Sequence, residues 1–129
     1  MTANLLSRLQ GLSAPDREVD ALIWLQLTPG ATRKQWSYIH TATQRECHVD
    51  ETRNADGRLT IVPELTASLD AAVALCERVL PGYDWIVGHT NGGLTIHAQV
   101  GQNEMVFGET PAIALLIAIL TALEARENG

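Results

Sequence analysis

Hydrophobic and polar positions are most regularly arranged in the second half of the chain. Apolar residues recur every three or four positions over 69–80, directly after the helix-capping residue Ser68, and this spacing predicts a helix that ends at a Pro-Gly pair. Residues 85–89 have strand character, and apolar and polar residues alternate over 94–100. The Asn-Gly-Gly sequence at 91–93 favours a tight turn between them.

A third short strand is predicted at 105–107, which completes an antiparallel meander of three strands. Thr110 and Pro111 then predict the start of a last helix, as its cap and its first residue. Residues 112–120 of that helix are apolar on every side. A helix without a polar stripe has to be covered on two flanks.

The apolar run of the last helix ends near residue 123, well short of the roughly 20 residues that span a bilayer. We therefore expect no membrane partner and burial of this helix within protein. One flank packs on the sheet, and the other is expected to meet either the N-terminal helices or a second copy of the chain. The pattern thus predicts a homo-oligomer.

The first half of the chain is less regular. A short helix is predicted over 4–10 and a longer one over 14–27, with Ser13 as its cap, Asp16 at the capping-box spacing and Pro15 in its first turn. Residues 31–64 show weak periodicity and are expected to be irregular or to form a hairpin insert. A turn at 54–57 and a short strand over 58–62 are predicted, and 47–52 is a candidate partner strand.

These elements predict one α+β (α/β) domain over 1–129, in which a three-stranded antiparallel meander is sandwiched between helices. Helices over 1–30 form an N-terminal extension, 31–64 is the insert, and 65–127 supplies a helix, the meander and the last helix. A chain of 129 residues with 46% hydrophobic and 19% charged residues is typical of a single folded domain.

The chain is acidic, with 9 basic and 15 acidic residues and a net charge of −6. This balance disfavours a nucleic-acid partner, since binding a polyanion requires a surplus of cations. Residues 1–10 contain no continuous apolar run, so no secretion signal is predicted and the expected location is the cytoplasm. Cys76 is expected in the core and Cys47 as a free thiol.

Three segments carry a resemblance to a known family: Ser-Leu-Asp-Ala-Ala at 68–72, Leu-Pro-Gly-Tyr-Asp-Trp at 80–85 and Gly-Glu-Thr-Pro-Ala-Ile-Ala-Leu at 108–115. The pattern resembles the phage α-β-α (ABA) sandwich domain proteins, a family of small phage proteins. It covers 65–125, together with a helix start at 16–21. The resemblance implies a sandwich fold and a phage or prophage origin, and it brings no catalytic residue.

Two further groups of side chains have the composition of a candidate site. His48, Asp50 and Glu51 lie in a polar segment without a recognised ligand spacing, so they are expected to be solvated and no metal is predicted. His89 and His97 fall on adjacent predicted strands, where they either meet in a ligand pocket or belong to the polar face of a half-covered sheet.

The most concentrated mixture of cations and aromatic rings lies in the irregular segment. Rings that stack on bases, beside cations that contact phosphates, are a common way to hold nucleotides. Exposed Trp, Tyr and Arg are equally typical of protein interfaces. The candidate ligand-binding residues are Arg33, Lys34, Trp36, Tyr38, His40 and His97, with Arg45 nearby.

No nucleophile elbow, phosphate-binding loop or activated cysteine motif occurs in the sequence, so no enzyme and no cofactor are predicted. The first hypothesis is a phage-encoded binding protein that sequesters a small nucleotide-derived immune signal. The second is an inhibitor that binds a host defence protein, such as a CRISPR effector or an immune enzyme, through an acidic face. The third is a phage accessory or structural protein.

Overall fold

The computed structural model describes residues 2–90 and 95–128, which form four helices and two small antiparallel sheets. This arrangement confirms the predicted α+β class and the N-terminal helical extension. The elements in chain order are α1 (Thr2–Gln10), α2 (Arg17–Leu27), β1 (Thr32–His40), β2 (Arg45–Arg53), β3 (Leu59–Thr60), α3 (Leu69–Val79), β4 (Trp85–Thr90), β5 (Thr95–Val100), β6 (Val106–Gly108) and α4 (Pro111–Asn128).

Side-chain caps set the starts of three helices. The Ser68 hydroxyl accepts a hydrogen bond from the Ala71 amide at 3.2 Å, and Thr110 does the same for α4, as the sequence predicts. The predicted cap of α2 is wrong, because the helix begins three residues later with Asp16 as its cap, not Ser13. The Asp16 carboxylate accepts from two free amides at 2.8 and 3.3 Å, and its charge also suits the positive end of the helix.

The predicted meander is confirmed as the sheet β4-β5-β6, in which both neighbouring pairs are antiparallel. Ala98 and Val100 of β5 are fully buried on the face that packs against α4. The opposite face of β5 carries polar side chains, as the alternation predicts. The predicted turn at 91–93 and Leu94 lie outside the described residues.

Helix α4 forms the middle layer of the molecule. Every residue from 112 to 120 is buried, which confirms the predicted covering of this helix on both flanks. The meander covers one side, and α1 and α3 cover others. The approach of the sheet is close: a Cβ on Gly108 of β6 would lie 2.7 Å from the backbone nitrogen of Ala114. Because the chain itself supplies these neighbours, α4 needs no second copy, and the homo-oligomer predicted from it loses that support.

Residues 31–64 are more regular than the sequence predicts. Their main feature is a hairpin in which all nine residues of β1 pair with all nine of β2, from Thr32 opposite Arg53 to His40 opposite Arg45. The predicted strand over 58–62 is present only as β3, which pairs with the last two residues of β2. The hairpin predicted between 58–62 and 47–52 is thus limited to two residue pairs, and the long hairpin of β1 with β2 was not predicted.

None of the helices in the described part of the chain combines the length and the apolar character needed to cross a bilayer.

A buried polar cluster joins α2 to the segment before α3. The Asp20 carboxylate and Thr66 are both almost completely buried, and Asp20 accepts hydrogen bonds from the amide and the hydroxyl of Thr66, each at 2.7 Å. Arg17 pairs with the same carboxylate at 2.9 Å and donates to the carbonyl oxygens of Val62 and Pro63. Buried charge is tolerated here because each carboxylate oxygen has a donor.

We predict that Thr66→Val lowers the free energy of unfolding by about 1–3 kcal/mol, because it removes one donor from a buried carboxylate. Thr66→Ser keeps the hydroxyl and is the matched control, with a smaller loss. Urea unfolding at neutral pH measures both. Equal stability of the Val and Ser variants would show that the hydroxyl does not support Asp20.

Candidate functional site

The hairpin of β1 and β2, residues 32–53, is termed the arm. All but one of the β1 residues and most of the β2 residues are exposed, so the arm projects from the layered body instead of packing on it. Thr52, near its base, is the one arm residue that is buried. Isolated two-stranded hairpins are marginally stable in water, which makes an exposed arm of this length an unusual element to retain.

Side chains alternate between the two faces of the arm, and directly paired residues share a face. Four of the six predicted ligand-binding residues, Lys34, Trp36, Tyr38 and His40, therefore lie on one face. Their partners on β2 are Glu51, Val49, Cys47 and Arg45 in the same order. We call these eight residues the aromatic face.

The two rings of the aromatic face are held by neighbours on the same face yet remain open to solvent. The Lys34 ammonium lies 5.2 Å from the centre of the Trp36 ring, a cation–π distance. A hydrogen bond with the Cys47 thiol raises the pKa of Tyr38. Trp36 is nonetheless 41% exposed and Tyr38 49% exposed. Large rings this accessible are available for contact with another molecule.

Arg33, also a predicted ligand residue, lies on the opposite face of the arm and is already bound. Its guanidinium donates two hydrogen bonds of 2.8 Å to Glu18 of α2 and bonds of 3.0 and 2.7 Å to Asp50 of β2. Only 12% of its side chain is exposed. This fork joins the base of the arm to the body, so Arg33 fixes the arm and is not free to bind a ligand.

The paired carboxylates and the guanidinium change one another's titration. Hydrogen bonds from Arg33 lower the pKa of Glu18 and the pKa of Asp50, and the two carboxylates raise the pKa of Arg33. All three groups are therefore charged at neutral pH. The arm is fixed to α2 most firmly under these conditions.

His97, the sixth predicted ligand residue, lies on β5 in the other sheet and is not part of the aromatic face. Its ring covers Gly88, where an added Cβ would lie 3.2 Å from Nε2. The alternative in which His89 and His97 meet is wrong. His89 pairs with Ile96 and His97 pairs with Gly88, so the offset of one residue puts the two imidazoles on opposite faces.

His48, Asp50 and Glu51 do not converge on a common point. Asp50 is engaged by Arg33, whereas Glu51 lies on the other face and pairs with Arg53 at 3.1 Å. The nearest acidic neighbour of His48 is Glu46, at 3.9 Å. In the described ranges no three His, Cys, Asp or Glu side chains are grouped as metal ligands would be.

Two clefts were not predicted from the sequence. One, of about 640 Å³, lies between the base of the arm, α2 and β3, and is lined by Arg17, Glu18 and Arg33 together with apolar residues. The other, of about 310 Å³, is mostly apolar and lies between Leu69 and Trp85, beside the start of α4. Both combine segments distant in sequence, so no local pattern reveals them.

Comparison of the chain with protein-family models, curated proteins and solved structures finds no match.

We predict that Arg33→Gln lowers the free energy of unfolding by about 1 kcal/mol at neutral pH. The loss is this small because the carboxylates of Glu18 and Asp50 are half exposed, so solvent screens their attraction to Arg33. The pKa values of Glu18 and Asp50 are lowered from 4.5 and 3.8, so their stabilisation is present above those values and is lost as the pH falls through the lower folded values. The difference in the free energy of unfolding between the wild type and Arg33→Gln should therefore vanish in acid.

Urea unfolding over a pH series measures this difference. The matched control is Arg58→Gln, because Arg58 is exposed and its carboxylate partner is 3.7 Å away. The control should stay close to wild type at every pH. A difference between wild type and Arg33→Gln that persists in strong acid would contradict the assignment.

Proposed function

We propose that this protein is a non-catalytic binding protein whose aromatic face contacts a partner protein. The observation that carries the proposal is the exposure of Trp36 and Tyr38 on a projecting arm that Arg33 fixes to the body. The sequence contains no recognised catalytic motif, which supports a role in binding over one in turnover.

The shape of the arm favours a macromolecule over a small ligand. A two-stranded ribbon with both faces in solvent presents an open surface, whereas small-molecule sites are concave and bury most of the ligand. Trp and Tyr are also the residues that contribute most to protein interfaces when they are buried there. The Trp36 ring already has Lys34 beside it, so part of the entropic cost of ordering that ring is met before binding.

The resemblance to phage ABA sandwich proteins implies a phage origin, and the class of partner is proposed on that basis. We propose a host defence protein, which makes the chain a phage-encoded counter-defence factor acting in the host cytoplasm. The contact surface is then the arm, and not the acidic face that the sequence suggested for an inhibitor of a host defence protein. The arm holds four basic and three acidic residues, so it carries +1 of the net charge of −6, and the rest of the chain carries −7.

Affinity capture from a lysate of the bacterial host tests this proposal. We expect Trp36→Ala to lose a partner that the wild type retains, with a loss of roughly 2 kcal/mol or more, or about thirtyfold in affinity. The matched control is Ile61→Ala, which removes an apolar side chain that is 88% exposed outside the arm. A partner held equally by Trp36→Ala, or no partner at all, would contradict the proposal.

A nucleotide-derived ligand is the second candidate for the same face. One observation favours it: Lys34 lies over Trp36, so a cation and a stacking ring are side by side, with His40 further along the same face. Aromatic stacking contributes about 1–3 kcal/mol per base, and a neighbouring cation adds a phosphate contact. In this role the protein would sequester an immune signal.

Thermal unfolding in the presence of cyclic dinucleotides tests the second candidate. A ligand that binds only the folded chain raises the melting temperature as its concentration exceeds the dissociation constant. We expect any such shift to disappear in Trp36→Ala and in Lys34→Gln and to persist in Ile61→Ala. The absence of a shift at high ligand concentration would eliminate cyclic dinucleotides as the ligand.

A further inference from the structure

Strand β1 has one free edge along its whole length. Within the described residues it pairs only with β2, and the sheet order places it at the outside. Exposed edges are usually protected by proline, by a bulge, by a very short strand or by charged side chains, and β1 has only two charged residues, Arg33 and Lys34, both next to its base. β1 is nine residues long, contains neither proline nor glycine, and pairs with β2 without interruption. It therefore offers a row of unpaired backbone groups to another strand.

The sequence of β1 is compatible with an antiparallel copy of itself. When two β1 strands overlap completely, the two-fold axis passes through the middle residue, Trp36, which lies opposite its own copy. Lys34 then lies opposite Tyr38 of the second copy, and Arg33 opposite Ile39. No cation faces another cation, and the central pair is aromatic, which is the most favourable kind of cross-strand pair.

The distribution of charge is compatible with this arrangement. The overlapping arms are nearly neutral, whereas each body carries −7. In an antiparallel pair the two bodies lie at opposite ends of a strand of roughly 30 Å, at about 3.3 Å per residue. That separation exceeds the Debye length of about 8 Å at physiological salt, so the repulsion between the acidic bodies is largely screened.

We propose that two copies of this chain form a dimer by antiparallel pairing of their β1 edges around Trp36. The two arms then form a single antiparallel sheet, and both free β1 edges are used. The outer edges of that sheet are the β2 strands, which β3 covers only at Thr52 and Arg53. Four of the other seven β2 residues are charged, and charged side chains discourage further pairing at an exposed edge: Arg45, Glu46, Asp50 and Glu51. The dimer is therefore closed.

Pairing around Trp36 also joins the two aromatic faces. Directly opposed residues share a face, so both copies of Lys34, Trp36 and Tyr38 lie on the same side of the joined sheet. The surface available to a partner doubles, and a second copy contributes half of it. This consequence rests on the proposed function, whereas the dimer itself does not.

Sedimentation and light scattering of the intact chain over a wide concentration range test the dimer. We expect twice the monomer mass, and we expect Trp36→Lys to raise the dissociation constant at least roughly tenfold by opposing two cations at the axis. Ile61→Lys adds the same charge at another exposed apolar position and should leave the dimer intact. A wild type that stays monomeric or polymerises, or a dimer insensitive to Trp36→Lys, overturns the proposal.

Disulfide cross-linking tests the register. In a Cys47→Ser background, Gln35→Cys and Ser37→Cys lie opposite each other across the axis, whereas each is too far from its own copy, since a disulfide needs Cα atoms within about 7 Å. An equal mixture of the two variants should cross-link and neither variant alone should do so. Cross-linking of Gln35→Cys alone or Ser37→Cys alone, or none in the mixture, overturns pairing around Trp36.

These outcomes separate the dimer from the proposed function. A monomeric wild type whose partner is still lost in Trp36→Ala overturns only the dimer. A dimer that forms as expected but retains no partner leaves the dimer standing and removes the proposed function.

Discussion

The last helix has no polar stripe, and the other elements of the body are placed so that together they exclude water from it. Residues 112–120 of α4 are buried in succession, with the meander on one side and α1 and α3 on others. Burial of a leucine or isoleucine side chain contributes about 1.5–3 kcal/mol, and this helix contributes several. The sheet approaches so closely at Gly108 that a side chain there would collide with the helix backbone.

The arm differs from α4 in that its largest apolar residues are exposed to solvent. Nothing in the body covers Trp36, Tyr38 or Ile39. Backbone pairing along nine residues and the Arg33 fork hold the arm in place without a core of its own. The arm therefore keeps its place without burying the two aromatic rings that it exposes.

The parts of the structure that could be predicted are those in which burial imposes a period. The caps at Ser68 and Thr110, the alternation of β5 and the uniformly apolar α4 were all legible because a core constrains them. The two strands of the arm could not be predicted in this way, because strands with both faces in water have no required alternation of apolar and polar residues. Even the cap of α2 depended on which of two capping residues met the free amides.

The sequence predicted the candidate site only in part, because no core constrains the pattern of the arm. The even-numbered spacing of Lys34, Trp36, Tyr38 and His40 is the spacing of one strand face, and it would have separated these residues from Arg33 had the segment been recognised as a strand. The ion pairs that engage Arg33 involve Glu18, fifteen positions away, and no local pattern reports them. His97 lies on the polar face of β5 that the alternation predicts. The alternative in which it meets His89 was wrong because the register of β4 against β5 decides which residues share a face with His89, and the turn residues alone do not fix that register.

The attachment of the arm to the body determines which changes in sequence and length the chain can tolerate. Thr32 and Arg53 are paired at the base, so the two ends of the arm leave the body side by side. A segment whose ends are adjacent can be shortened, lengthened or exchanged for another at little entropic cost to the remainder. The arm can thus vary in length or sequence without disturbing the helix around which the protein is built.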